Sequence, residues 1–139
     1  MGFRNDLLPY SPILAQFDTA GPYPPAVAPT ASVGNTPNCT WSGWSAPRQM
    51  LASLRVDIGC WASTSSQIGF RMLLDGTPLA GPQNSEKFYF NQTNTHLRLS
   101  FEIINISIPP GTHTFQLQWQ AGGTINFDLY DCCTMTLRA

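Results

Sequence analysis

The stretch LRLSFEIINISIPPGTHTFQLQW, residues 97–119, decides the fold of this chain. In residues 97–103 apolar side chains alternate with polar ones, which is the period of a half-buried β-strand. The phase of this alternation slips at Ile103-Ile104. A slip of this kind predicts a β-bulge or a strand that changes sheet. After it, the apolar positions pass to Ile104, Ile106 and Ile108.

A turn and a second strand follow directly. Pro109-Pro110-Gly111 predicts the turn, and residues 113–119 alternate again. His113 has the parity of the apolar residues in this stretch, so we expect it to be packed and hydrogen-bonded inside the protein rather than to be a ligand. The apolar residues that share its side are Phe115, Leu117 and Trp119.

Further short strands are predicted on both sides of this region. Residues 68–74 alternate and run into Asp75-Gly76, a strong signal for a tight hairpin turn. No window has a comparable helical stripe. Short strands about ten residues apart predict an all-β antiparallel sandwich, specifically a jelly roll. The other strand-like stretches are residues 54–60, 88–90, 125–129 and 135–137.

The segment Ile108–Trp119, with the hairpin at residues 73–77 upstream, resembles small jelly-roll domains of bacteriophage virion proteins. These include capsid decoration or cement proteins and fibre heads, which are similar in fold to tumour necrosis factor. The resemblance covers about residues 49–139. It implies a homotrimer and a role in the virion, and it carries over no catalytic residue.

Residues 1–47 differ in composition from residues 48–139, which we assign to the jelly-roll domain. They hold eight of the chain's 12 prolines together with many large apolar side chains. This combination predicts an extended arm that lies on another surface, either its own domain or a neighbouring subunit, and a disordered tail is the alternative. The predicted partner-binding residues of the arm are Phe3, Leu7, Leu8, Tyr10, Ile13, Leu14 and Phe17.

The composition favours assembly over interaction with nucleic acid or membrane. Only 11% of the 139 residues are charged, against about 25% in typical domains, and the formal net charge is −1. A chain with so few charges often covers its surface with partners, and the net charge provides no attraction for a nucleic-acid backbone or an anionic membrane. The outward row Thr112, Thr114, Gln116, Gln118 and Gln120 suits contacts between subunits.

The N-terminus lacks the apolar core of a secretory signal, so we expect synthesis in the host cytoplasm and incorporation into the virion. Four cysteines are too few for a disulfide framework in a chain of this length, and buried thiols are the expected state. Two bridges stay open as alternatives, Cys39–Cys60 and Cys60–Cys133. The fourth cysteine is Cys132.

The sequence predicts no catalysis, no metal and no cofactor. His96 lies on the polar side of its strand without a nearby partner, and Asp128, Asp131, Cys132 and Cys133 lack the paired short spacings of zinc sites. Asp75 belongs to a turn, whereas Asp57 and Glu102 lie on outward strand positions, where a solvated charge is the usual state. The chain has no nucleophile elbow and no phosphate-binding loop.

Trp41 and Trp44 allow two interpretations. They are expected to fasten the arm to the sandwich, or they form an exposed aromatic platform for sugar rings. These features lead to the hypothesis of a non-catalytic structural or accessory protein of a phage virion, which decorates or cements the capsid through its N-terminal arm. A module of a tail fibre or tail tip that binds a glycan or a receptor is the alternative.

Overall fold

The computed structural model describes residues 12–20, 34–62, 67–80, 88–91, 96–121, 125–126 and 132–139. These residues form two antiparallel sheets, which confirms the predicted all-β sandwich. Within them no helix is long and apolar enough to cross a membrane. The strands are β1 (Ile13–Ala20), β2 (Gly34–Ala46), β3 (Met50–Ala62), β4 (Gln67–Leu74), β5 (Thr77–Pro78), β6 (Phe88–Asn91), β7 (His96–Ile108), β8 (Gly111–Ala121), β9 (Ile125–Asn126) and β10 (Cys132–Arg138).

We call the two sheets A and B. Sheet A has the strand order β1-β10-β3-β7, and β9 also pairs with β3. Sheet B has the order β2-β8-β4-β5, and β6 also pairs with β4. Neighbours in space are therefore often distant in sequence, as when β2 pairs with β8 across more than 60 residues.

The core lies between the two sheets. Trp119, Phe70 and Phe115 from sheet B are the largest of its fully buried side chains. Phe88 of β6 stacks on Phe101 of β7 with ring centroids 4.3 Å apart, so this contact joins the two sheets. Fully burying one such side chain stabilises a fold by about 1.5–3 kcal/mol, and the stability of this domain therefore comes mainly from its core.

Two cysteines belong to the core. Cys60 on β3 and Cys133 on β10 are buried as thiols, which confirms the prediction for this pair. The side chains of Cys39 and Cys132 lie outside the described part of the chain.

The predicted bulge in β7 is present. Ala52 pairs with Ile106, whereas Leu54 pairs with Ile103, so two steps along β3 face three along β7. Asn105 takes up the extra residue with a φ of 57°, a left-handed conformation that asparagine tolerates better than most residues. The prediction that Ile104 faces the core was wrong. It is 65% exposed. The bulge shifts the alternation by one residue after Ile104, so that the inward positions resume at Ile106.

Both predicted turns are also present. Asp75 and Gly76 have φ values of 50° and 81°, the pair of positive values that a type I′ hairpin requires. Pro109 and Pro110 separate β7 from β8. Gly111 begins β8 with a φ of 124°, which an L side chain rarely adopts.

Residues 1–47, predicted as an extended arm that lies on its own domain or on a neighbouring subunit, include two strands of the domain's own sheets. Residues 13–20 are β1, which pairs with β10, and residues 34–46 are β2, which pairs with β8. β1 contains no proline, and β2, which contains Pro37, lies at the edge of its sheet, where a proline is tolerated. Residues 1–11 and 21–33 lie outside the described residues.

Candidate assembly surfaces

The described residues on the outer face of sheet B, made by β2, β8 and β4, carry very little charge. Its described residues are mostly hydroxyl and amide side chains, and Arg71 is the charged one among them. Arg71 Nε donates a hydrogen bond of 2.7 Å to Gln118 Oε1, which holds the guanidinium against the sheet. The uncharged residues of this face are Thr40, Ser42, Ser45, Thr112, Thr114, Gln116 and Gln118.

Hydroxyl and amide side chains are well suited to a contact between subunits. They can exchange hydrogen bonds with a partner, and covering them does not require an ionised group to lose its water. Some of these side chains already form hydrogen bonds across the strands. Ser45 Oγ and Thr112 Oγ1, for example, lie 2.5 Å apart. This face can therefore be covered at a low desolvation cost.

The outer face of sheet A has the opposite character. It carries six of the charged residues that the structure describes. Arg55 and Asp57 form an exposed ion pair of 2.9 Å along β3. Thr134 Oγ1 donates a hydrogen bond of 2.7 Å to Asp18 Oδ1, from β10 to the edge strand. The charged residues are Asp18, Arg55, Asp57, Arg98, Glu102 and Arg138.

One end of the sandwich is fastened by a pair between Asp75 and His113. His113 Nδ1 lies 2.7 Å from Asp75 Oδ2, and His113 Nε2 lies 2.8 Å from the carbonyl oxygen of Pro109. Asp75 Oδ1 accepts a hydrogen bond of 2.8 Å from the backbone N–H of Thr114. Because both ring nitrogens face acceptors, the arrangement satisfies every atom only when the imidazole is doubly protonated.

The surroundings of this pair favour its charged form. Burial alone would lower the pKa of His113, but hydrogen bonds to Asp75 and to the Pro109 carbonyl, with the charge of Asp75, raise it above its usual value. The bond to His113, followed by that from the Thr114 N–H, lowers the pKa of Asp75. His113 is only 4% exposed, so the prediction of a packed, hydrogen-bonded histidine is confirmed.

The residues predicted to form the partner-binding arm are not brought together in the described structure. Leu14 and Phe17 on β1 pack against the protein's own core. Ile13 is 52% exposed at the start of the same strand. The other predicted arm residues lie outside the described residues, and they are Phe3, Leu7, Leu8 and Tyr10.

Trp41 and Trp44 both point into the sandwich, although a spacing of three would place them on opposite faces of a regular strand. Gly43, with a φ of 90°, forms a bulge between them, so that Trp41 pairs with Phe115 and Trp44 with His113. Trp41 is 5% exposed and has no open ring face for a sugar. Trp44 is half-buried, with its ring centroid 6.1 Å from that of His113. Their positions fit the interpretation that they fasten this segment to the sandwich.

The described residues contain no cluster of three potential metal ligands. Two features of the surface had no signal in the sequence. The Asp75–His113 pair joins residues 38 positions apart. The place of Ile104 in the alternation depends on where the bulge falls, because β7 has one extra residue between Ile103 and Ile106.

Comparisons with known proteins found similarities among solved structures. No protein-family model matches the chain, and no curated protein matches it. Among solved structures, one titled "Structure of infectious bursal disease virus Gx strain" aligns with 99% of this chain at 10% identity and a TM-score of 0.36. The chain spans 40% of the length of that structure.

Proposed function

We propose that this chain is a non-catalytic structural protein of a phage virion, a subunit that decorates or cements the capsid. The nearly uncharged outer face of sheet B is the observation that carries this proposal. A subunit that stays in an assembly can cover such a face permanently, whereas a free monomer normally relies on charge for its solubility. The partners are further copies of the chain, in a homotrimer, and other virion proteins.

The segment that resembles phage virion domains supports the same proposal. Residues 109–111 form the turn, and β8 follows as a strand flanked by β2 and β4. Its residues Phe115, Leu117 and Trp119 are buried, while Thr112, Thr114, Gln116 and Gln118 lie on the outer face described above. The segment thus contributes both to the core and to the proposed contact surface.

Attachment to the particle is proposed to occur through the N-terminal arm. Because Leu14 and Phe17 are engaged with the core, the anchoring role falls to residues 1–11 and to the exposed Ile13. Residues 1–11 contain Phe3, Leu7, Leu8 and Tyr10. Each buries enough apolar area to contribute about 1.5–3 kcal/mol when a partner covers it completely.

Co-sedimentation with particles that lack this protein tests the proposal. We expect the full chain to sediment with such particles and to have three times the 15.3 kDa mass of one chain in light scattering. A variant that lacks residues 1–11 retains all ten strands and should stay in the supernatant. A full chain that does not bind the particles would refute the virion role. A truncated chain that still binds would refute only the role of the arm.

A further inference from the structure

An open apolar groove lies at one end of the outer face of sheet A. Leu51 is 64% exposed and Ile104 is 65% exposed, on a face whose other side chains are mostly charged or polar. The groove has a volume of about 440 Å³. It is lined by Leu51, Ala52, Ser53, Ile104, Asn105 and Ala139.

The β7 bulge lies in the wall of this groove. Ala52 pairs with Ile106 and Leu54 with Ile103, so Ile104 and Asn105 together stand opposite Ser53, and all three residues line the groove. A contiguous exposed apolar surface marks a place where another group docks, and Leu51 and Ile104 line the same groove. Within the described chain, no segment covers them.

The described chain begins beside the groove. The backbone N–H of Ala139, a residue of its lining, donates a hydrogen bond of 3.1 Å to the carbonyl oxygen of Pro12. Ile13 pairs with Arg138 and is the third exposed large apolar residue at this end. The segment that precedes Pro12 is therefore attached at the rim of the groove.

We propose that residues 1–11 fold back over this groove of their own chain and place Leu8 against Leu51 and Ile104. Four extended residues, the separation of Leu8 from Pro12, span about 13 Å. Two strand spacings, from β1 across β10 to β3 and Leu51, amount to about 10 Å, and Ile104 on β7 lies one spacing of about 5 Å beyond β3, which is side-chain contact distance. The segment is therefore long enough, and Phe3, Leu7 and Tyr10 are available to cover the remaining apolar surface.

The tether favours this occupant over a separate partner. A segment that starts at the rim has an effective concentration in the millimolar range, far above that of a free protein at micromolar concentration. Pro9 and Pro12 restrict the free segment and so reduce the entropy that docking removes. The inference concerns the free subunit and goes beyond the proposed attachment: on a particle, the same residues would have to exchange this groove for another surface.

A double-mutant cycle in the full chain tests the inference. We expect Leu8→Ser and Ile104→Ser each to lower the Tm by about 3–5 °C. The Tm of the double variant should fall by no more than the larger of the two single-variant decreases, because both changes remove the same contact. Leu8→Ser combined with Gln116→Ser, on the opposite face, is the matched control and should be additive.

Three results would overturn the inference. The first is a pair of single variants that leave the Tm unchanged, and the second is additivity of Leu8→Ser with Ile104→Ser. The third is a coupling that strengthens when the protein concentration is raised about tenfold, because it would show that the segment comes from a second copy. The cycle uses only the free protein, so its failure does not depend on whether the chain binds particles.

Discussion

Replacement of Asp75 by Asn tests whether His113 is held as an imidazolium. Asparagine also tolerates the φ of 50° at this position, and Asn-Gly suits a type I′ turn, so the backbone of the hairpin is retained. The amide oxygen can still accept the hydrogen bond from the Thr114 N–H. The amide nitrogen, however, donates to His113 Nδ1, which therefore has to be unprotonated.

The sign of the pH dependence follows from the two pKa shifts. The pKa of His113 is raised in the fold, so its contribution is complete below the unfolded value of 6.5 and is lost as the pH rises through the folded pKa. The pKa of Asp75 is lowered from 3.8, so its contribution is complete above that value and is lost at lower pH. The pair therefore stabilises the fold most between about pH 4 and 6.5.

The structure sets the size of the effect. A buried hydrogen bond to a charged group stabilises a fold by about 1.5–3 kcal/mol. The Asp75 side chain is 48% exposed, and solvent screening reduces this to about 1 kcal/mol. For a domain of this size, we expect Asp75→Asn to lower the Tm by about 3–5 °C near pH 5.5. At a pH above the raised pKa of His113 the loss should be much smaller, because the native imidazole is then neutral.

Thermal unfolding at the two pH values, with Asp57→Asn as the control, checks this prediction. Asp57 belongs to an exposed ion pair with Arg55, so its replacement should have little effect at either pH. His96 and His113 are the only histidines, so NMR can follow both rings in one titration. A His113 pKa below 6.5 in the folded protein, or an equal loss of Tm at both pH values, would refute the reasoning.

The bulge at Gly43 and the buried cysteines provide the remaining predictions. Gly43→Ala should destabilise the domain by about 1–2 kcal/mol, because its φ of 90° disfavours any Cβ although no atom lies within 4 Å of one. Ser42→Ala on the same strand is the control, and urea unfolding of both variants measures the difference. Reducing agent should leave the Tm nearly unchanged, since Cys60 and Cys133 are thiols in the core, and a fall of more than about 10 °C would reveal a stabilising bridge.

The local sequence pattern was sufficient to predict much of the β-structure. The alternation in residues 97–103 and 113–119 correctly separated inward from outward positions, because successive side chains of a strand point to opposite faces. Asp75-Gly76 and Pro109-Pro110-Gly111 marked two turns through their own backbone preferences. The phase slip at Ile103-Ile104 located the bulge. It did not show which of the neighbouring isoleucines would be outside.

The position of a segment in its sheet could not be predicted from the local sequence pattern. The prolines around residues 13–20 and within residues 34–46 suggested an arm, but both segments are strands. β1 contains no proline itself, and β2 tolerates Pro37 at a sheet edge, which exists only once the sheet is assembled. Trp41 and Trp44 needed the bulge at Gly43 to reach the same side.

The sequence by itself determined the fold class, the turns and the shortage of charge. These depend on residue type and on spacings of a few residues, which act before any distant contact forms. The tertiary structure alone decided where the few charges gather, which partner His113 has, and that Leu51 and Ile104 meet beside the chain terminus. Such features join residues tens of positions apart, and only strand order and register bring them within contact distance.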